Sequence, residues 1–237
     1  MRSAIGFLTV VPVGGAESAP SSRLGRAYFP AIGAAVGLAA GGVYLLAATF
    51  LTPLVAAVAA VATSALLTGG LHLDGLADSA DGLFGGSSPG RRLEIMRDPR
   101  IGSFGVTALV LVLVGDVALL AGMAPLRALA ALVIAGALSR LAMLAAIALL
   151  PNVREDGLGA AASGGHRARD LAVGVILAAL VSLLDPRRAL VAAACAAVAI
   201  LAVVLLARSR IGGATGDVYG AGSELAQLAA LIAFAVR

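Results

Sequence analysis

The segment RALAALVIAGALSRLAMLAAIALL (residues 127–150) decides the fold of this chain. Apart from Arg127, Ser139 and Arg140 it is entirely apolar, and it is longer than the roughly 20 residues that a helix needs to cross about 30 Å of hydrocarbon. Its commonest residues, Ala and Leu, are strong helix formers. The segment therefore predicts a transmembrane helix.

Similar apolar runs occur along the whole chain, which has 237 residues and is 60% hydrophobic. Soluble domains contain only about 45–50% apolar residues. We therefore predict an all-α, polytopic integral membrane helix bundle of about seven helices, formed by residues 1–237 as a single domain. The predicted helices are residues 28–50, 53–70, 104–123, 127–150, 170–184, 189–207 and 221–236. The fifth and seventh are short enough to be tilted, half-buried or re-entrant.

The N-terminal stretch MRSAIGFLTVVPVGGA (residues 1–16) has a shorter apolar run that Pro12 interrupts. We interpret it as an interfacial or re-entrant segment rather than a signal peptide. The single cysteine, Cys195, lies in an Ala-rich run, so the sequence offers no disulfide framework and predicts a core thiol.

The connections between the predicted helices differ in length and charge. Seven crossings would place the N-terminal segment and the long connections 71–103, 151–169 and 208–220 on one side. Most of the 17 basic residues, all of them Arg, lie in these segments. Positive charge marks the cytoplasmic side, so we predict a multi-pass protein of the cytoplasmic (inner) membrane with these loops in the cytoplasm. Because the Arg residues are scattered through loops, we interpret them as a signal for membrane orientation rather than as a nucleic-acid-binding surface. An odd number of crossings would place the C-terminus outside the cell.

The stretch LHLDGLADSADG (residues 71–82) places three carboxylates within an apolar chain. Asp74, Asp78 and Asp81 are spaced i, i+4, i+7, which would align them on one face of a helix. Their mutual repulsion would be relieved by a divalent cation, and such hard oxygen ligands suit Mg²⁺ or Mn²⁺. The alternative is a solvated loop with three surface aspartates. His72 would bond a carboxylate or a phosphate, or simply lie at the membrane interface, and whether residues 71–103 form a helix stays open.

Three later stretches have chemistry that suits phosphate. In RRLEIMRDPRIGSFG (residues 91–105) several Arg side chains accompany Glu94 and Asp98, and the planar fork of Arg matches phosphate oxygens. The alternative role for these Arg residues is contact with lipid headgroups. The other two stretches are NVREDGLG (152–159), with Arg154, Glu155 and Asp156, and the glycine-rich RIGGATGDVYGAGSEL (210–225), with Asp217 and Glu224.

Two charges lie inside predicted membrane helices, where charged side chains are rare and usually paired or functional. Asp116 and Arg140 belong to consecutive antiparallel helices. They would form a structural ion pair, or Arg140 would instead reach toward the polar site.

These motifs together resemble the adenosylcobinamide-GDP ribazoletransferase, or cobalamin synthase, family. The resemblance covers nearly the whole chain and rests on TGGLHLDGLADSADGL, RRLEIMRDPRIGSFG, the SR of residues 139–140, REDGLG and RIGGATGDVYGA. It departs from the family pattern at Val10, where Arg is common, and at Gln227, where a second Glu is common.

The resemblance implies a reaction in which adenosylcobinamide-GDP and α-ribazole, or its 5′-phosphate, give adenosylcobalamin, or its phosphate, and GMP, with Mg²⁺ required. The lipid bilayer is the other expected partner, no nucleic acid is expected, and a homo-oligomer stays open. We expect Asp74, Asp78 and Asp81 to bind the metal, and Asp98 or Asp217 to accept a proton from the ribazole hydroxyl. The expected substrate-binding residues are His72, Arg97, Arg100, Arg140, Arg154 and Arg210.

Three rivals to this function remain. A phosphotransferase acting on CDP-lipids would have Arg directly after a DGxxA pattern, where this chain has Asp78. A secondary transporter would concentrate polar residues at mid-membrane, whereas here they gather in loops on one side. A non-catalytic membrane scaffold would have no need for three adjacent carboxylates.

Overall fold

The computed structural model describes residues 1–13, 25–154, 157–163 and 167–236. Within these ranges the chain forms eleven α-helices and one short 3₁₀-helix, Arg26–Tyr28, and no β-strand. The α-helices are α1 Arg2–Leu8, α2 Phe29–Ala47, α3 Pro53–Leu67, α4 Leu71–Gly85, α5 Pro89–Ile95, α6 Ser103–Ala121, α7 Pro125–Leu149, α8 Gly157–Ser163, α9 Arg167–Ser182, α10 Pro186–Ile211 and α11 Gly216–Ala235.

The all-α membrane bundle is confirmed, but the helices that could cross a bilayer number fewer than predicted. Among the described residues 5 helices are long and apolar enough, or 6 if the bent pair α3–α4 counts as one span. The five are Arg26–Ala47, Ser103–Ala121, Pro125–Leu149, Pro186–Ile211 and Gly216–Ala235. Exposed Leu111, Val198 and Leu205 face outward from α6 and α10, as expected for lipid contact.

Two of the seven predicted membrane-spanning helices are not among these five candidates. The predicted helix 53–70 stops at Leu67 because Gly69 and Gly70 take positive φ angles of 62° and 70°, which end a right-handed helix. The predicted helix 170–184 is α9, whose 16 residues are slightly too few to cross. The predicted helix 221–236 begins earlier, at Gly216, and is long enough.

The glycine turn after α3 directs α4 away from it at an angle of 89°. Residues 71–85 are therefore helical, which answers the question left open by the sequence. Helix α3 has only 15 residues and α4 carries three aspartates, so neither half of this pair is by itself one of the five candidate spans. Helix α4 packs against α11 and α6.

Helix α7 forms the centre of the bundle and is its most buried span. It packs against α2 at unusually close range: a Cβ atom on Gly33 would lie 2.0 Å from the carbonyl oxygen of Gly136, and one on Gly136 would lie 2.3 Å from that of Gly33. Small residues allow membrane helices to approach in this way.

The contact between α2 and α7 predicts which glycines of α2 tolerate a side chain. Gly33→Ala should lower the free energy of unfolding by about 1–3 kcal/mol, the usual cost of overpacking. Gly42→Ala, on the same helix with no neighbouring atom within 4 Å, should be neutral or stabilising by up to about 1 kcal/mol through helix propensity. Thermal unfolding in detergent, followed by circular dichroism, measures both. Equal stability of the two variants would contradict the close contact.

Candidate active site

The candidate site forms where α4 and the start of α11 touch backbone to backbone. A Cβ on Gly75 would lie 2.8 Å from the carbonyl oxygen of Asp217, and one on Gly220 would lie 3.3 Å from both Cα and the carbonyl oxygen of His72. Glycine at these positions lets the two helices approach. The contact brings the aspartates of α4 beside Asp217, which is far away in the sequence.

Asp74, Asp78 and Asp217 form a group of mutually repelling carboxylates. Asp78 shows this most clearly, because partial burial and the neighbouring Asp74 and Asp217 carboxylates raise its pKa to about 7. The Arg154 guanidinium opposes this rise. Asp74 and Asp78 therefore lie on α4 as predicted. Asp217, from α11, adds a third carboxylate to the charges that act on Asp78.

Asp81 lies on α4 as predicted and has a different environment. Its two carboxylate oxygens accept hydrogen bonds from the backbone N–H groups of Gly102 (2.7 Å) and Gly105 (2.8 Å), and its side chain is buried. A negative charge at a helix N-terminus satisfies donors that the helix itself leaves unpaired. Asp81 thus fixes the start of α6, and its oxygens are engaged by protein donors.

Arg154 pairs with Asp217 across two loops. Nη1 of Arg154 donates to Oδ2 of Asp217 at 2.7 Å, and the Thr215 hydroxyl donates to the same oxygen at 3.1 Å. The loops are held together by backbone hydrogen bonds from Val153 to Ala214 and from Ala214 to Pro151, each 2.9 Å. Among the described residues the Nε and Nη2 atoms of Arg154 are buried and have no hydrogen-bond partner, so two donor groups of this side chain are not used by the described part of the protein.

Arg140 reaches toward this site. Its Nη2 lies 3.3 Å from Nδ1 of His72, and its Nη1 donates to the Ser139 hydroxyl at 2.9 Å. A guanidinium only donates, so Nδ1 of His72 accepts and the ring proton lies on Nε2. That Nε2 atom is buried without a partner in the described structure.

The alternative ion pair between Asp116 and Arg140 is not formed in the described part of the chain. Asp116 instead accepts a hydrogen bond of 3.4 Å from Nε2 of Gln227. Gln227, which stands where a Glu is common in the family that the sequence resembles, therefore supplies a neutral donor to the buried Asp116 carboxylate.

Asp98 and Arg100 form an exposed ion pair. Arg100 donates to both carboxylate oxygens, at 2.9 and 2.7 Å. Hydrogen bonds from Arg100 lower the pKa of Asp98 to about 2. A carboxylate with so low a pKa is a weak base, and this counts against Asp98 as the proton acceptor.

Two cavities meet at Asp74, which lines both. The inner cavity has a volume of about 270 Å³, and its lining includes His72, Arg154, Asp217 and Tyr219. The outer cavity is more open, has a volume of about 710 Å³, and is lined by Asp78, Arg97, Asp98 and Arg100 among others.

The structure thus gathers most predicted site residues around two adjoining spaces. Three predicted residues lie outside the described lining of both cavities: Asp81, Arg140 and Arg210. The side chain of Arg210 is exposed, and its carbonyl accepts a hydrogen bond of 3.2 Å from Arg92. Glu155 and Asp156 lie outside the described residues.

Residues that the sequence did not single out also contribute to the inner cavity. Tyr219 has a buried hydroxyl without a partner in the described structure, and its position next to Asp217 in the glycine-rich stretch was the available signal. Phe7, Met143 and Ile147 supply apolar side chains to its lining, and nothing in their sequence context distinguished them from ordinary core residues.

The donor set fits a magnesium ion only in part. In the described ranges no three His, Cys, Asp or Glu side chains are grouped closely enough to hold a metal ion by themselves. Mg²⁺, however, is commonly bound by one or two carboxylates together with substrate phosphates. Asp74 and Asp78 suit that arrangement, whereas Asp81 is already engaged by backbone donors.

Comparison with known proteins assigns the family. The sequence profile of the family described as cobalamin-5-phosphate synthase matches residues 1–235. Three relatives are each named adenosylcobinamide-GDP ribazoletransferase. The one from Azorhizobium caulinodans is 47% identical over 94% of this chain and 89% of its own length. Those from Bradyrhizobium diazoefficiens (41% identical, 98% and 91%) and Stutzerimonas stutzeri (39%, 99% and 96%) are similar along their whole lengths.

No solved structure matches the chain. The profile match and the alignments with these relatives cover nearly the whole chain. The chain belongs to the cobalamin-5-phosphate synthase family.

Proposed function

We propose that this protein is an adenosylcobinamide-GDP ribazoletransferase of the cytoplasmic membrane, with its site loops facing the cytoplasm. The observation that carries the proposal is the group of carboxylates at Asp74, Asp78 and Asp217, set beside the unpartnered donors of Arg154 where two cavities meet. A transfer between two substrates needs two adjoining binding spaces, and charged side chains where these spaces adjoin.

The proposed reaction is a displacement at phosphorus. A ribazole hydroxyl oxygen forms a bond to the phosphorus attached to the cobinamide arm, and the bond from that phosphorus to the bridging oxygen breaks. GMP leaves with the bonding electron pair, and the hydroxyl proton passes to a carboxylate. Positioning and electrostatics supply most of the rate in such transfers.

Asp217 is the better candidate for the proton acceptor. Arg154 and Thr215 both donate to its Oδ2 atom, which fixes the orientation of the carboxylate, and the residue lines the inner cavity. Asp98 lines the outer cavity and is absent from the described lining of the inner one.

Asp74 and Asp78 would hold Mg²⁺ together with phosphate oxygens of the substrate. The ion would supply positive charge that offsets the negative charge developing on the transferred phosphoryl group. Arg97 and Arg100, which line the outer cavity, are placed to contact the remaining phosphate oxygens there.

The rival functions fit less well. The family match argues against a CDP-lipid phosphotransferase. The unpartnered donors of His72, Arg154 and Tyr219 belong to residues that line one cavity, whereas Asp116, in the middle of α6, accepts a hydrogen bond from Gln227 through Oδ2. A transporter would place its binding groups at mid-membrane.

The proposed function predicts a strict requirement for both substrates and for a divalent cation. Purified protein in detergent should release GMP from adenosylcobinamide-GDP only when α-ribazole and Mg²⁺ are both present, and excess chelator should stop the release. Chromatographic detection of GMP measures this. Absence of GMP from folded protein under these conditions would contradict the proposal.

The two environments on α4 predict opposite effects of the same substitution. Asp78→Asn should lower kcat by about 100-fold or more, because it removes charge stabilisation at the reacting phosphate, and should leave thermal stability intact by relieving repulsion. Asp81→Asn is the matched control. It should lower the free energy of unfolding by about 1–3 kcal/mol through loss of the hydrogen bonds to α6. Near-normal activity of Asp78→Asn would contradict the metal-binding role.

A second pair of variants separates the two candidate bases. Asp217→Asn should lower kcat by about 10²–10⁴-fold, the usual contribution of general base catalysis. Asp98→Asn should chiefly raise the KM for adenosylcobinamide-GDP, because Arg100 loses the partner that orients it. Steady-state kinetics with each substrate varied in turn measures both effects. A fall in kcat as large in Asp98→Asn as in Asp217→Asn would assign the base to Asp98.

A further inference from the structure

We propose that the inner cavity of about 270 Å³ is the binding site for the ribazole nucleoside, and that the outer cavity of about 710 Å³ receives the pyrophosphate arm of the corrinoid. This assignment rests on the proposed function and adds to it a place for each substrate.

Size decides which substrate enters which cavity. Pockets for small ligands span roughly 300–1,000 Å³, and the inner cavity, at about 270 Å³, is slightly smaller than this range. A nucleoside with a two-ring base is of that size. A corrin ring that carries a GDP arm is several times larger, so only an extended part of it can enter the protein, and the more open outer cavity provides the access.

The apolar side chains that line the inner cavity suit a flat aromatic base without hydrogen-bonding substituents. They include Phe7, Met143 and Ile147. The ring of Phe7 stacks on Phe29, with centroids 5.6 Å apart and planes 13° apart, so its position is fixed before a ligand enters. Aromatic rings stack with one another, and methionine sulfur packs well against ring edges.

The polar residues that line the same cavity suit the oxygen-rich ribose. Three of them have buried donor atoms without a partner in the described structure: Nε2 of His72, Nε and Nη2 of Arg154, and Oη of Tyr219. A buried polar group left unpaired costs about 1–3 kcal/mol. Hydroxyl or phosphate oxygens of the nucleoside would satisfy these donors.

The junction of the cavities is compatible with the reaction. Asp74 lines both spaces, while Asp217 lines the inner one and Asp78 the outer one. A ribose hydroxyl bound by these polar residues would therefore lie near Asp74, which also lines the cavity proposed for the phosphates. The attacking oxygen and the phosphorus meet at the carboxylates, as a direct displacement requires.

Phe7→Ala tests the assignment, with Phe104→Ala as the matched control. Phe104 also belongs to an aromatic pair, with Phe84 at 5.9 Å, but is outside the described lining of both cavities. Phe7→Ala should raise the KM for α-ribazole by about tenfold or more, the scale expected for lost apolar contact in a pocket, and leave the KM for adenosylcobinamide-GDP unchanged. Phe104→Ala should change neither.

Equilibrium dialysis with α-ribazole alone gives a readout that does not depend on turnover. Wild-type protein should bind the nucleoside without the corrinoid, and Phe7→Ala and Ile147→Ala should each weaken this binding by about tenfold. Ile147 lies on α7, so it keeps the test decisive if the short α1 does not tolerate Phe7→Ala.

The assignment is overturned if the variants raise the KM for adenosylcobinamide-GDP instead, or leave both KM values unchanged. It is also overturned if wild-type protein that releases GMP binds no nucleoside on its own. Absence of GMP release by the wild type in every condition would instead reject the proposed function on which the assignment rests.

Discussion

The backbone contact between α4 and α11 is the constraint on which the site depends. Gly75 and Gly220 leave no side chain between the helices, so carboxylates from distant parts of the sequence come close together. Like charges in such a place repel, and burial together with this repulsion raises the pKa of Asp78. The protein offsets it only partly, through Arg154. The remaining excess of negative charge supports the proposal that a cation binds here together with the phosphates of the substrate.

The membrane bundle was predictable from the sequence because long apolar runs have few alternatives in a chain of this composition. The number of crossings was not, since it depends on where helices end. The end of α3 is set by positive φ angles at Gly69 and Gly70, and the sequence alone does not distinguish such glycines from those packed inside α2. The side of the membrane on which the loops lie stays a prediction.

The sequence predicted that the site residues cluster, but it predicted the role of each residue less well. The spacing of the aspartates correctly placed them on one helix. It could not reveal that Asp81 accepts hydrogen bonds from the backbone N–H groups of Gly102 and Gly105, which lie 21 and 24 positions further along the chain. Nor could it reveal that Asp217 bonds Arg154, 63 positions away. Both are tertiary contacts, which local spacing does not encode. Asp81 thereby becomes a support for α6, and Asp217 joins the carboxylates of α4.

The most direct test of this account is the turnover of Gly75→Ala compared with Gly85→Ala. Both substitutions add one methyl group to α4, but a Cβ on Gly85 would meet only side-chain atoms at 3.9 and 4.0 Å, an ordinary contact distance. If the α4–α11 contact assembles the site, Gly75→Ala should lower kcat by about tenfold or more through misplacement of the carboxylates, while Gly85→Ala stays active. Equal activity of two folded variants would mean that the reacting groups do not depend on this contact, and would contradict the account.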